Sequence, residues 1–216
     1  MRQRSDPRAV LDFWFGPPAA DAAALRQKVD RWYRGGKALD AEIDEKFRAT
    51  VDAALAGELD VWASEPRGRL ALVLVLDQFP RSIHRDTPLA FAGDPTAQRL
   101  VIEALDAGLD RDLHFEERMF LIMPLLHAEH VALQERAVVE MQRLHDEAPA
   151  ELRPVYGMGL EQARKYRGII SSFGRFPHRN QVLGRQSTPE ELALLESWAQ
   201  KAPPAAMQAQ PDRDRS

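Results

Sequence analysis

The chain has 216 residues, 44% hydrophobic and 29% charged, a balance that excludes a wholly disordered or collagen-like chain and requires a packed core. Twenty-nine Lys and Arg against 33 Asp and Glu give a net charge of -4, so no global positive field draws it to nucleic acid or to anionic lipid. The absence of cysteine excludes a disulfide framework, a thiolate nucleophile and cysteine-ligated zinc.

Met1 to Asp6 leads straight into an amphipathic segment without the apolar core of a secretory signal, so a cytoplasmic address is expected. Asp6-Pro7 then opens a helix carrying Val10, Leu11, Trp14 and Phe15, which Gly16 ends. Three consecutive aromatics, Phe13 to Phe15, cannot all face one core, so one of them is expected at a cleft or an interface. From Asp21 the positions Leu25, Val29, Trp32 and Tyr33 keep helical spacing as far as Gly35-Gly36, and Leu39, Ile43, Phe47, Val51 and Leu55 form a second stripe up to Gly57. The run from Leu70 to Leu76 is wholly apolar but far shorter than the roughly 20 residues that span a bilayer. Pro66 at a first helical position and a length beyond that of a typical strand make it a buried helix.

Asp94-Pro95 opens a further helix that Gly108 ends. Phe115 to Met123 reads as helix up to Pro124, where a kink or break is expected before a helix over His127 to His145. A long helix from about Glu151 to Phe173 follows, and Thr188-Pro189-Glu190-Glu191 is a capping box leading to Leu192, Leu195 and Trp198. No strand of period two and no Asn-Gly hairpin intervenes, so the fold class is all-α with about nine or ten helices in one domain, residues 1–202. Residues 203–216 lack apolar periodicity and read as a disordered tail.

Two segments concentrate polar chemistry. In Asp77-Gln78-Phe79-Pro80-Arg81 the proline is expected to push Phe79 out of helical geometry and to display Arg81 on a loop beside an Asp that ends a buried helix. In Gly174-Arg175-Phe176-Pro177-His178-Arg179-Asn180 the same Phe-Pro pair displays three polar side chains in succession. One reading makes Asp77 and either Arg175 or Arg179 structural counter-ions that dock the two loops. The other makes the loops an anion pocket, with arginine forks on a carboxylate or phosphate and His178 as proton donor or acceptor. His127 and His130 would share a helix face, but no third ligand is defined, so no metal site is assigned. No Gly-x-Ser-x-Gly elbow, phosphate-binding glycine loop or dinucleotide fingerprint is present, and no cofactor is expected.

Taken in order, Val10 to Gly16, Leu76 to Arg81, Pro124 to Glu129, Phe173 to Asn180 with Leu183-Gly184-Arg185, and Ser187 to Glu191 resemble the uncharacterised bacterial family called domain of unknown function 924. The resemblance runs from about Val10 to Trp198. It implies a tetratricopeptide-like, superhelical arrangement of helix pairs and supplies no reaction, although no repeat of fixed period, about 34 residues, aligns along the chain. His130 departs from the pattern, which is expected to be acidic after Glu129, so the resemblance carries no shared role to that position. Matching positions give the candidate site: His178, Asp77 and Glu129 for acid-base chemistry, and Arg81, His127, Arg175, Arg179 and Asn180 for ligand contacts. The expected partner is a small anionic molecule. The alternative is a scaffold that binds a peptide or protein partner, with the same residues as internal braces.

Overall fold

The computed structural model describes residues 4–201, and these fall into two compact units, Met1–Arg175 and Phe176–Ser216. The single domain expected over 1–202 spans both, and the tail expected over 203–216 lies outside the described residues. Among the described residues there are ten α-helices and no strand, so the chain is all-α.

The first unit contains α1 (Pro7–Phe15), α2 (Ala22–Arg34), α3 (Gly36–Leu55), α4 (Pro66–Asp77), α5 (Phe79–Ile83), α6 (Asp94–Asp106), α7 (Phe115–Leu126), α8 (Val131–Glu147) and α9 (Arg153–Phe173). Asp6 and Asp21 cap α1 and α2, each accepting the backbone N–H three residues on at 2.8 Å. The apolar run of α4 is continuous because the helix is surrounded. It packs against α1, α3, α6 and α7, and every residue from Leu70 to Asp77 is buried. Phe13, Trp14 and Phe15 join the same core from α1: Phe13 meets Phe47, and Trp14 and Phe15 both meet Phe120.

Three local expectations are corrected. Phe79-Pro80 does not end in a loop. Gln78 stays helical and α5 starts at once, because a proline in a first turn lacks only an N–H that would have no helical acceptor there. Pro124 does not break α7, which runs on to Leu126. The helix beyond it begins at Val131 rather than His127, so His127 closes α7, His130 precedes α8, and the two imidazoles do not share a helix face. No group of three or more potential metal ligands occurs among the described residues. No described helix is long and apolar enough to cross a membrane.

The second unit contains a short 3-10 turn, Pro177–Arg179, and α10 (Pro189–Lys201). Phe176 is extended, the conformation that a following proline favours. The capping box forms reciprocally: Thr188 N–H donates to Glu191 at 2.8 Å and Glu191 N–H to the Thr188 hydroxyl at 3.3 Å.

Candidate functional site

Four helix ends of the first unit converge on one carboxylate. Asp77 is the last residue of α4, Arg81 lies in α5, Asp94 opens α6 and His127 closes α7. Asp77 is fully buried, and Nδ1 of His127 lies 2.8 and 3.0 Å from its two oxygens. The Gln78 amide donates to it at 2.5 Å, and Arg81 Nη1 approaches it at 3.2 Å while also donating to the Asp77 backbone carbonyl. Arg81 Nη2 bonds both oxygens of Asp94 at 2.9 and 3.0 Å.

These contacts fix protonation states. Burial would raise the Asp77 pKa, but Arg81 and His127, together with the hydrogen bonds, bring it down to about 2. An ionised carboxylate can only accept, so His127 Nδ1 carries a proton. Burial in turn lowers the His127 pKa, with Asp77 opposing and Arg81 reinforcing, which makes the neutral imidazole the resting form and leaves its lone pair on Nε2. Two carboxylates against one guanidinium leave the cluster with one net negative charge.

Beside the cluster opens a cavity of about 380 Å³ whose walls include Gln78 and Arg81. Trp14, Trp32 and Tyr33 supply its aromatic side, and Lys37, Asp40 and Arg85 its charged rim. Arg85 grips both oxygens of Asp40 at 2.7 to 3.1 Å, whereas Lys37 forms no ion pair among the described residues.

Of the residues singled out in the sequence, Asp77, Arg81 and His127 come together here. Glu129 is half-buried in the α7 to α8 connection, and Arg175 is the last residue of the first unit. His178, Arg179 and Asn180 belong to the second unit, where His178 is exposed. Arg179 and Asn180 were expected on display but are 6% and 1% exposed. Asn180 donates to Ser187 and Glu191 and accepts from Arg185, all at 3.0 Å, so its amide ties the 3-10 turn to the start of α10. The Arg179 guanidinium lies over the Phe176 ring at 4.7 Å. Asp94 and Lys37 were not singled out. Asp94 read only as a helix start, and nothing local to Lys37 marks it as the rim of a cavity.

A family model described as bacterial protein of unknown function (DUF924) matches residues 10–198. The chain belongs to this family. A solved structure of a protein of unknown function, ATU0120 from Agrobacterium tumefaciens, is similar at 36% identity and a TM-score of 0.73, over 88% of this chain and 97% of that one. No curated protein matches the chain. Membership therefore supplies the fold, and the chemistry has to be argued from the DUF924 residues themselves.

Proposed function

We propose that this protein binds a small anionic ligand, a carboxylate or a phosphate, on the Asp77 to Arg81 side of its first unit, and that His127 oriented by Asp77 handles protons there. The observation that carries this reading is the cavity of about 380 Å³ with Lys37, Arg81 and Arg85 in its walls and Gln78 linking it to Asp77. A concave, partly aromatic site with a few convergent polar groups is the usual form of a small-molecule site. A neutral imidazole held by a buried carboxylate is the usual form of a general base.

The test is thermal unfolding of the purified protein against a panel of carboxylate and phosphorylated metabolites. A ligand at about 100 times its Kd stabilises the native state by about 2.7 kcal/mol. For a chain of this length that raises Tm by about 5 to 10 °C. A flat response to every anion in the panel overturns the reading.

A further inference from the structure

Resting on the anion-binding reading above, we infer that the cavity takes the carboxylate of an amino acid with an apolar side chain, and that Gln78, held by Asp77, selects it by accepting from its ammonium group. Gln78 donates from Nε2 to Asp77 at 2.5 Å. That carboxylate is fully buried and ionised, so it can only accept. Turning the amide round would set its own oxygen against the charge, and this fixes which amide atom faces away. The atom facing away is Oε1. It receives no hydrogen bond among the described residues, keeps accessible surface, and belongs to a half-buried residue that lines the cavity.

An acceptor fixed in a cavity wall requires a donor from the ligand. A simple carboxylate or a phosphate dianion brings oxygen lone pairs alone, so Oε1 would lose its water and gain no hydrogen bond in return. Asp40, the other lining side chain that can only accept, already holds Arg85. The unmatched demand of the wall is therefore for an N–H or O–H at Gln78.

Charge, a separate observation, selects among donors. Immediately behind Gln78, Asp77 and Asp94 share the single guanidinium of Arg81, which leaves that end of the cavity with one net negative charge. On the rim Arg85 is neutralised by Asp40, and Lys37 adds one positive charge. The cavity is thus negative at one place and positive at another, and a zwitterion complements both. A hydroxyl would satisfy Oε1 but leave the charge behind it unanswered. Tyr33, 63% exposed, and the half-buried Trp32 give the walls apolar surface on which a side chain can rest.

Phenylalanine, titrated into the full chain by calorimetry, is the probe, with phenyllactate, phenylpropionate and phenethylamine as comparisons. The first three differ only in the group beside the carboxylate, and the last lacks the carboxylate. Phenylalanine is expected to bind at least tenfold more tightly than phenylpropionate and at least threefold more tightly than phenyllactate. Gln78→Met, which keeps the length but removes the acceptor, should bring the preference over phenylpropionate below threefold. Asp77→Asn, which frees the amide to turn and removes the negative charge, should narrow it as well. A merely structural role would weaken both ligands alike and leave their ratio unchanged, and an unchanged ratio in a folded Gln78→Met overturns the assignment. If Gln78→Met does not fold, the wild-type series and Asp77→Asn decide. Phenylpropionate or phenyllactate binding as well as phenylalanine, or silence to phenylalanine while other anions still raise Tm, overturns it and leaves the anion-binding reading standing. Phenethylamine binding as well as phenylalanine, or silence to every ligand, overturns both.

Discussion

The Asp77 carboxylate is fully buried against three side chains, which makes its energetics a matter of compensation. An isolated buried carboxylate is costly, and here His127, Gln78 and Arg81 together offset the cost. Asp77→Asn keeps the shape and can still accept from His127, but it leaves Arg81 with Asp94 as its remaining carboxylate in the cluster. Because that second carboxylate stays, the loss should sit at the low end for a broken buried pair, about 3 kcal/mol. Urea unfolding checks it: the midpoint should fall with the slope unchanged, and a wild-type midpoint would show that Asp77 braces nothing. The sequence set Arg81 beside Asp77 at the end of an apolar run, but as a residue of a loop and not of the helix turn in which it stands. It could not show His127 as the third member, since 50 residues of chain separate it from Asp77 and only the packing of α4 on α7 brings it there.

Among the elements, caps and periodicity made most helices legible, and the prolines misled. Asp6, Asp21 and the Thr188 to Glu191 box act as their spacing indicates because capping is local. Pro80 was read as the end of a helix and Pro124 as a kink or break, but tertiary packing overrides a local preference. Phe79 and Phe120, one and four residues before a proline, are anchored in the core with Trp14, and the helices hold around them. The contacts between elements allow a sharper prediction, in which one substitution has opposite signs at two glycines. Gly93 leads into α6 against the end of α4, and a Cβ there would stand 2.2 Å from the Leu76 carbonyl oxygen. Since the obstacle is backbone, Gly93→Ala must separate the helices and should cost about 1 to 3 kcal/mol. Gly168 lies inside α9, exposed, with nothing within 4 Å of an added Cβ. Gly168→Ala should stabilise by about 0.5 to 1 kcal/mol, by removing the backbone freedom that glycine has in the unfolded chain. Chemical denaturation of both variants decides, and equal signs would contradict the packing of α4 and α6.

For the molecule as a whole, the consequence of the buried cluster is a dependence of stability on pH. His127 faces Asp77 from α4, Arg81 from α5 and Asp94 from α6. Its folded pKa lies below the ordinary 6.5, with burial the largest cause, so the unfolded chain takes up a proton in a range where the folded chain does not. Stability from this group is therefore complete above about pH 6.5 and is lost as pH falls through that value towards the folded pKa. Asp77 adds a second, separate loss. Its folded pKa of about 2 lies below the ordinary 3.8, so its contribution holds above 3.8 and disappears between there and about 2. Total stability also contains every other titrating group, so the comparison has to be a difference. His127→Asn places an amide donor against Asp77 without a titrating ring. Between pH 7.5 and 5.5 the wild type should lose more stability than this variant, read as the change in urea midpoint at constant slope. The opposite sign, a wild type that gains on the variant as pH falls, would mean that the imidazole is protonated in the fold. Asp77 and His127 would then be an ion pair, and the proton-accepting role given to Nε2 at rest would be lost with it.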